Sequence, residues 1–240
     1  MLNPDLRVNE ITNPYPIWII DNLLDDAVID QMKNEWFDND SERWNTTRKM
    51  VSGKENILER KMLNISKQEE MPEMIASVCE FLHGEEFTSK IEDMTGVTGL
   101  IPDETMRWSG MRVMTEGSYQ LIHSDAREHP ENGLRKELTC LLYLNDDYDK
   151  DRDEGCLEIW NDDMTERVHE LEPINNRLVI FLNSDTSYHG VPLVKKDRKA
   201  ITFSILKNEE SSGRKFAKFV SRPEDSDEVS ILGSERGMGK

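Results

Sequence analysis

His123 and Asp125 stand two residues apart in Leu121-Ile122-His123-Ser124-Asp125, so on an extended strand both side chains leave the same face. An imidazole and a carboxylate placed this way can share one metal ion. A set of two histidines and one carboxylate leaves one face of an octahedral iron open, and its third protein ligand comes from elsewhere in the chain. His189, within Ser187-Tyr188-His189-Gly190-Val191, is the best candidate. An HxD pair alone is a weak signal, since five histidines give several chances of an Asp two places on.

Nine residues after His189, Arg198 opens the run Arg198-Lys199-Ala200-Ile201-Thr202-Phe203-Ser204-Ile205-Leu206. The run alternates as a strand does: Arg198, Ala200, Thr202 and Ser204 share one face, and Ile201, Phe203 and Ile205 share the other. The second face is apolar and should pack on a helical layer. The first is small and polar around one guanidinium, a wall suited to binding a carboxylate by paired hydrogen bonds. A purely structural arginine would need a protein carboxylate, and its strand face offers none. In Leu138-Thr139-Cys140-Leu141-Leu142-Tyr143-Leu144-Asn145, the same parity groups Thr139, Leu141 and Tyr143. Taken alone, Tyr143 reads first as an amphipathic core filler with its hydroxyl at the edge. That hydroxyl could also meet the anion that Arg198 holds.

The ordered set of His123-x-Asp125, the Leu138–Asn145 strand, Glu154-Gly155-Cys156-Leu157-Glu158-Ile159-Trp160, Asn176-Arg177-Leu178-Val179-Ile180-Phe181, and Tyr188-His189-Gly190-Val191 with Arg198 resembles the prolyl 4-hydroxylase-like Fe(II)/2-oxoglutarate-dependent dioxygenases. The likeness covers about residues 105–206. The opening Pro14-Tyr15-Pro16-Ile17-Trp18-Ile19-Ile20-Asp21 and the stretch Met94-Thr95-Gly96-Val97-Thr98-Gly99-Leu100 extend it over most of the chain. The resemblance implies that His123, Asp125 and His189 bind Fe(II). It implies that Arg198 pairs with the distal carboxylate of 2-oxoglutarate and that Tyr143 and Thr139 add hydrogen bonds. O2 is then the other co-substrate, succinate and CO2 are released, and an unactivated C–H bond is hydroxylated; Asp125 argues against a halogenase, which needs that ligand position empty. Two positions depart from the family pattern. Met114 stands where relatives often carry a tyrosine that assists the co-substrate, a role left vacant or taken by Tyr119. Glu154-Gly155 stands where many relatives read Gly-Gly, which bears on a turn more than on the chemistry. The expected substrate is a prolyl or other peptidyl side chain, or a small amino-acid-like molecule. The competing class is a non-catalytic cupin-like barrel that binds a metal or ligand or serves as an interaction module.

The elements that must position these residues change character along the chain. Tyr15–Ile20 reads as a strand, and a helix follows that Asp25 or Asp26 can cap, with Ile29, Met32 and Trp36 on one face. Met74, Ile75, Val78, Phe81 and Leu82 fit a second helix ending at Gly84, and Phe87, Ile91 and Met94 a third ending before Gly96. From Met111 the pattern becomes short apolar runs between turns. The expected fold is α+β, a double-stranded β-helix (jelly-roll or cupin-like) core with a helical N-terminal layer. The expected organisation is one dioxygenase domain, 1–221, with helical support over 1–104 and the β-helix core over 105–221. A charged, Gly-rich tail over 222–240 is expected to be flexible. The polar stretch around 43–61 carries Arg43, Arg48, Lys49, Lys54, Arg60 and Lys61; it reads as a solvated loop, or as a mobile segment that touches substrate.

Thirty Lys and Arg against 48 Asp and Glu give a formal charge of −18. That balance repels phosphate backbones, makes nucleic acid a poor partner and suits a cationic or neutral substrate. No stretch approaches the roughly 18 apolar residues of a membrane span, and the start lacks a signal-like apolar core, so the chain is expected to be soluble and cytoplasmic. Cys79, Cys140 and Cys156 form no metal-like pair and read as reduced, buried thiols. Asp147, Asp149, Asp151 and Glu158 imitate a calcium loop, but Arg152 occupies the place where that loop needs glycine. His83 and His169 read as surface residues and His129 as a loop residue.

Overall fold

Alternating runs after residue 109 become strands of a curled antiparallel sheet, and the 3.6-period runs before it become helices lying on the sheet's outer face. The computed structural model describes residues 1–46, 50–51, 54–55, 59–211 and 213–220; the expected tail over 222–240 and much of the basic segment lie outside these. In chain order the elements are β1 (Arg7–Ile11), β2 (Ile17–Asp21), α1 (Asp26–Glu35), β3 (Asn45–Thr46), β4 (Met50–Val51), β5 (Lys54–Glu55), β6 (Glu59–Ile65), α2 (Glu73–Leu82), α3 (Glu85–Thr95), β7 (Leu100–Pro102), β8 (Gly110–Ser124), β9 (Leu134–Tyr143), α4 (Lys150–Asp153), β10 (Leu157–Trp160), β11 (Arg167–Leu171), β12 (Arg177–Leu182), β13 (His189–Val191), β14 (Arg198–Glu210) and β15 (Lys218–Phe219).

The main sheet runs β1-β2-β12-β9-β14-β8-β13-β10-β11. β8 belongs to both halves of the curl: Gly110–Met114 pairs with β14, and Gln120–His123 with β13. One long strand therefore joins the Arg198 wall to the histidine wall. The fold is the double-stranded β-helix that the alternation predicts.

Alternation also divides the core. Leu138, Cys140 and Leu142 of β9 and Ile201, Phe203 and Ile205 of β14 pack against Ile29 and Met32 of α1, Ile75 and Val78 of α2, and Phe87 and Ile91 of α3. The opposite faces of the same strands turn inward, where Tyr143 and Ala200 join Met114, Leu157, Val179 and Phe181. Burying such aliphatic and aromatic side chains contributes about 1.5–3 kcal/mol each. The strands are thus fixed from behind, and the inward face is free to carry polar residues.

Among the described residues, the N-terminal 104 carry seven strands beside three α-helices. β6 pairs along β8 from Ile65↔Met111 to Glu59↔Gln120, so the end of the basic segment is sheet and not a solvated loop. The physical reason is an open edge on β8, which Met62-Leu63-Asn64-Ile65 can satisfy with alternating side chains. Asp25 occupies the N-cap of α1 without a side-chain capping bond, and Trp36 follows the helix in an extended conformation, yet buried. α3 stops at Gly96, whose φ of 72° is left-handed. The calcium-like acidic run is a helix cap: the Asp149 carboxylate accepts from the N–H groups of Asp151 and Arg152 at the start of α4. All three cysteines are free and buried. Among the described residues no helix is long and apolar enough to cross a membrane.

Candidate active site

β8 carries His123 near its end, Asp125 follows one residue beyond the strand, and β13 begins at His189, paired directly with His123. The close approach of β13 to β8 requires glycine next to His189: a Cβ on Gly190 would meet Gln120 O at 3.0 Å and Ile122 Cα at 3.1 Å. Asp125 Oδ1 lies 3.5 Å from His123 Nε2 and 4.0 Å from His189 Nε2. One donor atom from each residue lies within 4.8 Å of the other two, a set that one ion can gather.

The second atoms of these groups are committed elsewhere. His123 Nδ1 is 2.9 Å from Leu121 O, and His189 Nδ1 is 2.9 Å from Ser187 O. Carbonyls only accept, so each Nδ1 donates to its carbonyl and each Nε2 is turned toward Asp125. Burial, with the neighbouring His123 adding to it, pushes His189 down to about 3, which keeps the ring neutral. Asp125 Oδ2 accepts from Lys136 Nζ at 2.7 Å and Thr139 Oγ1 at 2.8 Å, leaving Oδ1 to face the histidines. Burial would raise the Asp125 carboxyl, but the Lys136 ammonium holds it well below the usual carboxylate range. Two imidazole Nε2 atoms and one carboxylate oxygen are a donor set that fits a hard-to-borderline divalent cation.

A cavity of about 360 Å³ opens beside this set, walled by β8, β9, β13 and β14 and including Arg112, Lys136, Thr139, Arg198, Thr202 and Ser204. Arg198 is 7% exposed. Its Nη2 donates to Tyr143 Oη at 2.7 Å and its Nη1 to Met114 Sδ at 3.6 Å, while Nε has no partner. The guanidinium also lies over the Tyr143 ring, 4.7 Å from its centroid. Among the described residues no carboxylate pairs with it. Burial pushes the Tyr143 phenol up, so the hydroxyl that accepts from Arg198 keeps its own proton to donate. A buried cation with only neutral partners is an unfinished site, completed by an anion.

Of the residues singled out in sequence, the fold gathers His123, Asp125, His189, Arg198 and Thr139 around one cavity and sets Tyr143 directly behind Arg198. Thr139 holds Asp125 in addition to facing the cavity. Tyr119 is elsewhere: it packs with Leu121, Ala217 and Phe219. Its neighbour Gln120 faces the cavity instead, and Met114 fills the space beside Arg198. Sequence reasoning missed Lys136, because strict alternation puts it with Leu138 on the helix side. A register irregularity between Ile205 and Leu206, opposite Leu138 and Lys136, turns the lysine inward. Trp108, 5.1 Å below the Lys136 ammonium, and Arg112 were also missed, since neither lies in a recognisable motif. His129 is a loop residue as expected but fully buried, within 3.1 Å of Thr105 Oγ1 and 3.4 Å of Asp103, while His83 is half-buried against Ser109 Oγ and not a surface residue. Among the described residues, Arg112, Lys136 and Arg198 face the cavity against one carboxylate, Asp125.

Residues 109–205 match the family model of the 2OG-Fe(II) oxygenase superfamily. Among solved structures, a prolyl-4-hydroxylase from Pseudomonas putida superposes with a TM-score of 0.59 at 16% identity, covering 80% of this chain and 93% of that one. A prolyl hydroxylase from Trichoplax adhaerens, in complex with a hypoxia inducible factor oxygen degradation domain peptide, gives 0.57 at 18% identity, covering 80% and 83%. HygX from Streptomyces hygroscopicus, with nickel, 2-oxoglutarate and hygromycin B bound, gives 0.50 at 12% identity, again covering 80% and 83%. A search of curated protein sequences returns no significant match.

Proposed function

We propose that the chain, whose residues 109–205 match the 2OG-Fe(II) oxygenase superfamily and whose fold is prolyl 4-hydroxylase-like, is a 2-oxoglutarate-dependent dioxygenase that hydroxylates a C–H bond of a peptidyl side chain, prolyl or similar, or of a small amino-acid-like molecule. In this reading His123, Asp125 and His189 hold Fe(II), and Arg198 with Tyr143 holds the distal carboxylate of 2-oxoglutarate. The observation that carries it is the buried Arg198 guanidinium, without a protein carboxylate, in the same cavity as the two histidines and Asp125. When bound, iron and 2-oxoglutarate couple the decarboxylation of 2-oxoglutarate to succinate and CO2 with transfer of one O2 oxygen to the substrate.

The residues' own tasks follow from their contacts. Leu121 O and Ser187 O fix the imidazole tautomers. Lys136 and Thr139 hold one Asp125 oxygen so that the other is free for the ion. Arg198 offers paired donors, and Tyr143 adds one O–H from the neighbouring position. The apolar cavity lining, Met114, Leu141, Leu157 and Val191, limits water around these charges and strengthens their interactions. The Trichoplax structure, solved with a peptide, supports the peptidyl side of the proposal, and HygX, solved with hygromycin B, supports the small-molecule side.

The test is succinate formation from 2-oxoglutarate by the purified protein with Fe(II), together with the visible charge-transfer band of the anaerobic Fe(II)–2-oxoglutarate complex. The expected result is a band that disappears in Asp125→Ala and weakens in Arg198→Ala, with turnover lost in Asp125→Ala. A folded wild-type protein without the band at saturating 2-oxoglutarate would overturn these site assignments and leave a metal- or ligand-binding module as the reading.

A further inference from the structure

Asp125 lies one residue past the end of β8, outside the strand ladders. Its side chain is held by Lys136 and Thr139, and its backbone by a different part of the chain. Arg214 Nη2 donates to Asp125 O at 3.0 Å and to Ser124 Oγ at 2.9 Å. The carbonyl of Arg214 accepts from the N–H groups of Arg127 at 2.7 Å and Glu128 at 3.0 Å. Four residues further on, β15 pairs Lys218 with Ser124 and Phe219 with His123, and the N–H of Val220 donates to Ile122 O at 2.9 Å. The Phe219 ring stacks on the His123 imidazole, with centroids 5.0 Å apart and planes inclined by 24°.

The same segment reaches the second ligand loop. Lys218 Nζ donates to the hydroxyl of Tyr188, the residue before His189, at 2.9 Å. Arg214 also lies 3.6 Å from Asp185 in the turn leading to that loop. Arg214, Lys218 and Phe219 are not cavity-wall residues, so they approach the ligands from behind. The segment also lies outside residues 109–205, the part matched by the family model.

We propose that residues 213–220 form a clasp that sets the position of both ligand-bearing loops, with Arg214 and Phe219 as positioning residues for His123 and Asp125; this rests on the metal site proposed above. The clasp carries few buried apolar side chains, and Phe216 within it is 63% exposed. Its polar contacts instead converge on the ligand segments. Groups that orient metal ligands from outside the coordination sphere typically change metal affinity by about 10–100-fold when removed.

The full chain is titrated with Co(II), whose ligand-field absorption reports both affinity and geometry. Arg214→Ala and Phe219→Leu are compared with wild type and with Phe216→Ala, alongside the melting temperature of each metal-free protein. The expected result is Co(II) binding weakened about tenfold or more in both clasp variants, with an altered band shape and near-wild-type melting. Arg214→Lys is expected to recover part of the affinity, and Phe216→Ala to behave as wild type. Wild-type affinity and band shape in both clasp variants would overturn the proposal, as would weaker binding that tracks a lowered melting temperature with an unchanged band. If Arg214→Ala does not fold, Arg214→Lys and Phe219→Leu carry the same comparison. Absence of Co(II) binding in wild type itself would remove the underlying metal site and the clasp with it, a failure distinct from a defect confined to the variants.

Discussion

Replacing Arg198 with methionine should move stability and co-substrate affinity in opposite directions. In the free protein the guanidinium is 7% exposed, bonded to one hydroxyl and one thioether, with Nε unpaired. Desolvating an ion without a counter-ion costs several kcal/mol, and an apolar side chain of similar length removes that cost while losing one hydrogen bond to Tyr143 worth about 1–3 kcal/mol. Without 2-oxoglutarate, Arg198→Met should therefore be within about 1 kcal/mol of wild type or more stable, read from urea unfolding at neutral pH. With 2-oxoglutarate the balance reverses. Two charge-assisted hydrogen bonds to a carboxylate contribute about 1.5–3 kcal/mol each, so their loss weakens binding by roughly 10²- to 10⁴-fold at about 1.4 kcal/mol per decade. The second quantity is read by titrating the anaerobic Fe(II) protein and following its visible band. Destabilisation beyond about 2 kcal/mol in the absence of 2-oxoglutarate, with its affinity changed less than about tenfold, would show that Arg198 serves the fold and not an anion.

Three further outcomes follow from the geometry. Lys136→Met removes the cation that holds Asp125 Oδ2; metal affinity should fall about 10–100-fold, and Lys136→Arg should restore much of it, as read by Co(II) titration. Gly190→Ala puts a Cβ against Gln120 O and Ile122 of the neighbouring strand, so it should destabilise by about 1–3 kcal/mol in urea unfolding and weaken metal binding, whereas wild-type values for both would contradict the packing described. Burial lowers the His83 pKa from its ordinary 6.5, against the raising effects of Cys79 O and Asp103. The unfolded chain therefore takes up the proton first, and stability is lost as pH falls below about 6.5. The urea midpoint should drop more between pH 7.5 and 5.5 in wild type than in His83→Gln.

Residue spacing made part of the proposed metal set legible, together with the face that carries Arg198, while the role of His189 rested on the family resemblance. A two-residue period fixes which side chains share a strand face whatever the strand packs against, so His123 with Asp125, and Arg198 with Thr202 and Ser204, could be grouped before any fold was known. The same period placed Ile201, Phe203 and Ile205 against helices, where they lie. Where the register slips, the rule fails, and Lys136 was lost at such a point. Tyr119 lies away from the cavity for a related reason: β8 changes partner from β14 to β13 along its length, so alternation carried through it does not say which residues reach the cavity. Overall charge does not describe the site, because −18 is a sum over the whole chain while, among the described residues, the cavity gathers three cations from separated strands. Local pattern was enough to show the chemistry on offer: two histidines, a carboxylate and an arginine on strands of two-residue period. The pairing of His189 with His123, the lack of a counter-ion for Arg198 among the described residues and the pairing of β15 with the ligand strand emerged with the fold, because each depends on contacts between segments distant in the chain, which no local period encodes.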